Sequence, residues 1–163
     1  MKHHKLRAAI AAAAYLLSSQ SALAYSDEIV NAIHTALDDE YKAHTTYAAY
    51  LEHFGEVKPF SNIIHSEARH IEALKALLTD SAADIPENPY NIAEIEIPTS
   101  ATEACEIAVK AEEENAALYF DQLLPTVKTH DEVVSVFTNL ADASQQRHLQ
   151  AFQRCASRGK KWK

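Results

Sequence analysis

Apolar positions along the chain recur at helical spacing in separate stretches divided by helix breakers. Ile29, Ile33, Leu37, Tyr47, Leu51 and Phe54 form the first stripe, which stops at Gly55, so the pattern predicts a helix over about 26–54 with a glycine C-cap. Phe60, Ile63, Ile64, Ile71, Leu74 and Leu78 form the second, opened by Pro59, over about 59–79. Residues 80–98 contain Pro86, Pro89 and Pro98 and keep no period, as expected of a long connection. Ser100 with Glu103 reads as a capping box for a third helix that ends near Leu124, before Pro125. Thr129 with Glu132 repeats that signature for a fourth, over about 130–157. Two short joints and one long one predict an all-α four-helix bundle of two antiparallel pairs joined by a crossover, the ferritin-like topology. A plain up-down bundle with a wandering loop is the alternative.

The two halves resemble each other. Glu40, Tyr47 and Leu51 in the first helix match Glu112, Tyr119 and Leu123 in the third at identical spacing. The second helix reads Phe60-Ser61-Asn62-Ile63 and then Glu67-Ala68-Arg69-His70. The fourth reads Phe137-Thr138-Asn139-Leu140 and then Gln145-Gln146-Arg147-His148. The interval from phenylalanine to histidine is one residue longer in the fourth helix. A continuous helix absorbs such an insertion as a π-bulge, which is expected between Leu140 and His148.

Several charged residues interrupt the apolar stripes. Glu40, Glu67 and Glu112 fall on faces otherwise filled by core residues, and a buried unpaired carboxylate costs several kcal/mol. Glu67 and His70 stand at i, i+3 and point into one space. A glutamate from each of two helices, with a Glu-x-x-His from each of the others, is the carboxylate-bridged di-metal pattern. The predicted metal ligands are therefore Glu40, Glu67, His70, Glu112, Gln145 and His148. His44, at i+4 from Glu40, reads as a solvated or supporting residue, and His34, His53, His65 and His130 as ordinary ones. Tyr47 and Tyr119 are expected to fill the core and to reach a glutamate across the bundle with their hydroxyls. The alternative reading of these groups is a buried polar network without metal.

Composition agrees with helices: only Gly55 and Gly159 interrupt as glycines, in a chain rich in Ala, Glu and Leu. Lys2, Lys5 and Arg7 precede the apolar run Ala8–Leu17, which leads through serines to Ala22-Leu23-Ala24. That is the layout of a secretory signal peptide cleaved after Ala24, and it predicts an exported, periplasmic or secreted protein. The run is too short to span a bilayer. Residues 25–163 are then one domain with 12 basic and 23 acidic residues, a net charge of -11 that argues against nucleic acid as a partner. No other stretch suggests a membrane span.

The cysteines test the register. If Glu112 faces His148 in an antiparallel pair, facing positions sum to 260, and so do Cys105 and Cys155. In an oxidising compartment these would form a disulfide; two buried free thiols are the alternative.

The segments Glu40-Tyr41-Lys42-Ala43, Phe54-Gly55-x-x-x-Pro59-Phe60, Glu67-x-x-His70 and Ala143-Ser144-x-x-x-His148-Leu149-x-Ala151-Phe152 resemble the ferritin-like domain-of-unknown-function 2202 family over nearly all of residues 25–163. That family is similar to the rubrerythrins and ferritins, so the resemblance implies a di-iron bundle that reduces peroxide or oxidises ferrous iron. Gln145 departs from the pattern, because a rubrerythrin-like site has a glutamate there. Three carboxylates leave a di-ferrous pair at about +1, which points to asymmetric occupancy or a single ion. Carboxylate with imidazole favours iron, with manganese or zinc also compatible. No rubredoxin-type Cys-x-x-Cys is present, so electrons would come from a separate donor. The sequence thus predicts a di-metal redox protein, with metal sequestration without turnover or a structural, partner-binding bundle as alternatives.

Overall fold

A computed structural model describes residues 25–160. The predicted signal peptide lies outside the described residues. Helix α1 spans Asp27–Phe54 and α2 Phe60–Asp80. A third rod consists of α3 (Ala101–Leu118), a π-helical turn (Tyr119–Leu123) and α4 (Leu124–Val127). The fourth consists of α5 (Asp131–Ala143), a second π-helical turn (Ser144–His148) and α6 (Leu149–Lys160). The protein is an all-α four-helix bundle. Among the described residues no helix is long and apolar enough to cross a membrane.

Gly55 ends α1 as expected: its φ of 78° is open to glycine at no steric cost, and its N–H bonds the Leu51 carbonyl. The end of α2 makes the same kind of turn without glycine. Ala82 takes φ 56° while the Ala83 N–H reaches back to Leu78 O. The crossover then climbs along α1, with Asp84 O bonded to His34, Pro86 O to Tyr41 and Asn88 to Thr45. A single 3-10 turn, Ile92–Glu94, is its regular structure. Because the crossover returns the chain to the end where α1 stops, α3 runs parallel to α2 and antiparallel to α1. That is a bundle with one long crossover and not the plain up-down bundle.

Two expected boundaries are corrected. The third rod does not stop before Pro125 but continues to Val127. The π turn has already shifted the ladder, with Leu124 N–H bonding Tyr119 O five residues back. Pro125 therefore falls in the first turn of a new helical segment, where its missing N–H is tolerated. The fourth rod begins at Asp131 behind His130, without a side-chain cap. Thr129 Oγ1 bonds the His130 ring instead, so the expected capping box does not form. The box at Ser100 does form: its Oγ accepts from Glu103 N–H, while the Glu103 carboxylate reaches back to Thr99 N–H.

Two apolar clusters fill the bundle. One gathers Ile33, Leu37, Leu74, Leu78, Val127, Val133 and Phe137 near the open end of the crossover. The other gathers Tyr47, Tyr50, Phe60, Cys105 and Phe152 at the opposite end, with Tyr47, Phe60 and Phe152 in mutual ring contact at 4.9–5.4 Å. Cys105 and Cys155 are joined there by a disulfide with Cα atoms 5.9 Å apart. Between the two clusters lies a layer of buried polar side chains.

Candidate metal centre

Glu40, Glu67, Glu112, His70 and His148 form that layer, each no more than 9% exposed. All five were expected as ligands, and the fold brings them together from four rods. The Glu67 carboxylate sits at the centre. Its Oε2 is 2.9 Å from His70 Nδ1 and its Oε1 is 3.1 Å from His148 Nδ1. Glu40 Oε2 completes one side at 3.2 Å from His70 Nδ1, and Glu112 Oε1 the other at 3.6 Å from His148 Nδ1. The imidazoles stack with centroids 5.7 Å apart and planes 20° from parallel. Two potential metal-holding groups result, Glu40-Glu67-His70 and Glu67-Glu112-His148, which share Glu67.

The tyrosines cross between the halves. Tyr47 of α1 donates to Glu112 Oε1 at 2.9 Å, and Tyr119 of the third rod donates to Glu40 Oε1 at 3.1 Å. Each hydroxyl occupies one oxygen of a glutamate and so fixes its rotamer. Burial, with the adjacent carboxylates, pushes both phenols well above their ordinary pKa, so they remain donors. Ser66 Oγ holds His70 Nε2 at 3.2 Å, which sets that ring's orientation.

Gln145 is not part of the centre. It is exposed, and the neighbouring Ser144 is buried and donates to Glu112 Oε2. The inserted residue explains the correction. The predicted bulge is present within the expected Leu140–His148 stretch, at Ser144–His148, and takes up the extra residue after position 144. Counted forward from phenylalanine, Phe60 to Glu67 and Phe137 to Ser144 are equal intervals, so Ser144 occupies the place matching Glu67. Counting backward from histidine had selected Gln145. The forward count was available in the sequence and identifies the residue that was missed.

His44 is half-buried and does not join either ligand group. Asp39, which the sequence did not single out, bonds Asn115 across α1 and α3 beside the centre. Burial pushes its carboxyl up, against the opposing effect of Asn115.

Without metal, the imidazole protons hold the carboxylates together. Burial opposes charge on His70 and His148, but the carboxylates around them prevail, raising His70 to about 9 and His148 to about 10. Burial also pushes on Glu67, yet its hydrogen bonds from both imidazoles bring it down to about 2. Glu40 goes the other way: burial, with Glu67 nearby, raises it to about 8 despite His70.

The donor set fits divalent transition ions. Two donors held ~2.1 Å from one ion at a right angle would be ~3.0 Å apart, near the separations across both groups. Imidazole with carboxylate is the chemistry of iron, manganese and zinc sites, though it does not choose among them. A cavity of about 540 Å³ reaches the centre between α1 and α3 under the crossover, lined by Glu40, Glu112, Asp39, Glu114, Lys42 and Lys110 among others.

Comparison with known proteins supports the fold. No protein-family model and no curated protein matches the chain. A solved structure, that of a hypothetical protein MJ0754 from Methanococcus jannaschii DSM 2661, is similar with a TM-score of 0.70 over 83% of each chain at 20% identity. At that identity the likeness shows a shared bundle architecture and nothing about activity.

Proposed function

We propose that this protein is an exported ferritin-like di-metal protein, with iron as the metal, acting on peroxide, oxygen or Fe(II). The observation that carries the reading is the Glu67 carboxylate, whose two oxygens each face a different imidazole, with a further glutamate beyond each. Five buried ionisable groups are a costly way to build a core, and bound cations would repay the desolvation. Iron, when bound, would supply the one-electron chemistry that side chains lack. Glu40 and His70 would hold one ion, Glu112 and His148 the other, and Glu67 both. Tyr47, Tyr119 and Ser66 keep those ligands in place, and the cavity between α1 and α3 gives small reactants a route. The disulfide and the leader-like first 24 residues support export. An external electron donor would complete a peroxidase cycle, because the sequence carries no Cys-x-x-Cys pair of the rubredoxin type.

A second reading, metal sequestration without turnover, is favoured by Ser144. It places a neutral hydroxyl where a fourth carboxylate would balance a pair of divalent ions. Metal content of the mature protein, beside a Glu67→Ala, His148→Ala variant, tests the centre. About two iron or manganese per wild-type chain and none in the variant are expected. Equal absence of metal from both after Fe(II) loading would leave a structural polar network. Oxygen- or peroxide-dependent oxidation of bound Fe(II) then separates redox chemistry from storage.

A further inference from the structure

A second pocket, of about 450 Å³, reaches the polar layer from the opposite side, between α2 and the fourth rod. Its chemistry is the reverse of the first. Seven acidic residues line the cavity between α1 and α3, whereas no carboxylate lines this one. Its exposed rim carries Arg69 and Arg147 with Asn62 and Asn139, and its buried interior carries Ser66, His70 and His148. Neither guanidinium forms an ion pair with an acid of the described residues. In a chain of net charge -8, two unpaired arginines at one opening are a local exception.

The arrangement is paired across the bundle. Asn62 and Arg69 are seven residues apart and share a face of α2. Asn139 and Arg147 are eight apart, which in an unbroken α-helix would turn Arg147 about 80° from Asn139. The Ser144–His148 π turn takes up the extra residue and brings both onto the pocket. The same bulge that aims His148 at Glu67 therefore also builds this opening.

We propose that the pocket binds a small, multiply charged oxyanion of the phosphate or polycarboxylate kind. Planar guanidinium groups from two helices offer paired N–H donors to such a ligand, and carboxamides add neutral donors at the same depth. The ligand would lie behind the imidazoles, on the side away from the acidic cavity, so the layer would be approached by cations from one side and an anion from the other. This assignment stands independently of the metal reading.

The test is calorimetric titration of the mature, metal-free protein with inorganic phosphate and, separately, with citrate, which has no ion to chelate there. Saturable 1:1 binding of at least one probe is expected, and the tighter probe identifies the source. Arg69→Gln with Arg147→Gln should weaken it by about tenfold or more, while Arg158→Gln, which removes one positive charge on α6 away from the pocket, should leave it unchanged. Thermal melts establish that the exposed substitutions leave the bundle folded. Absence of binding by both probes up to about 10 mM would overturn the proposal. So would equal binding by the double variant, or equal weakening by Arg158→Gln.

Discussion

The first half of the bundle, α1 and α2, consists of two uninterrupted α-helices; the second half carries a π turn in each rod. Both halves deliver a glutamate, a tyrosine and a histidine to the polar layer at matched positions. They differ in the buried residue one turn before the histidine: Glu67 in the first half, Ser144 in the second. A one-residue insertion did not unmake the symmetry of the ligands, because the wide turn absorbed it. It did change which neighbour faces inward, Ser144 rather than Gln145, and neither residue supplies the carboxylate that Glu67 gives the first half. The second half also carries the disulfide, across a 50-residue separation, while the first half is held by packing and by the crossover laid along α1.

The comparison breaks most completely at Glu67. Glu67→Ala should abolish both metal positions, whereas His148→Ala should leave Glu40 and His70 able to retain one ion, as elemental analysis per chain would read. In the metal-free state the same Glu67 change leaves two buried imidazoles short of their carboxylate, at a cost of about 3–5 kcal/mol in urea unfolding. Cys155→Ser acts on the second half alone. Opening a loop of that length should lower stability by about 2–4 kcal/mol while metal content per folded chain stays unchanged.

Restoring the symmetry is a smaller perturbation. Ser144→Glu should tighten binding of the second ion by about tenfold, measured by competition with a chelator, and Gln145→Ala should alter it little. If Gln145→Ala instead cost metal, the observed register of the bulge would be wrong.

Stability of the metal-free protein should also depend on pH. His70 and His148 are raised above 6.5, so their contribution is full below that value and is lost as pH rises through about 9 and about 10. Glu40, raised to about 8, contributes below 4.5 and loses its part as pH rises to 8. Glu67, lowered to about 2, contributes above 4.5 and loses its part as pH falls. Metal-free stability should therefore peak near pH 4.5 in urea titrations, decline as pH rises toward 6.5 with the loss of the Glu40 part, and fall more steeply above that as the histidine parts are lost too. Metal affinity should move oppositely and rise with pH, because the imidazole protons must leave before the ions bind.

Much of the centre was legible from periodicity alone. Glu40, Glu67 and Glu112 sit on apolar faces where only a partner explains a charge, and the repeat paired each histidine and tyrosine with its counterpart. The cysteine register followed from the same antiparallel pairing. Counting through the insertion back from the histidine selects Gln145 and counting forward from the phenylalanine selects Ser144, and only the place of the bulge decides between them. The π turn at Tyr119 left no such mark: the first and third helices share their spacing through Tyr119 and Leu123, so the repeat shows no insertion there. Only Pro125 signals an irregularity, and a proline marks a helix end as readily as the first turn of a new segment.

The sequence by itself determined which stretches are helical, which faces turn inward, and which charged residues must find partners there. Those follow from the helical period and from the desolvation cost of an unpaired charge, both local properties of the chain. The tertiary structure alone decided where the inserted residue is absorbed, that Ser144 meets Glu112, and that one side of the layer is acidic while the other presents Arg69 and Arg147. These depend on how four rods rotate about their axes to pack, and a rotation of one residue, about 100°, exchanges a buried side chain for an exposed one without altering the apolar pattern around it.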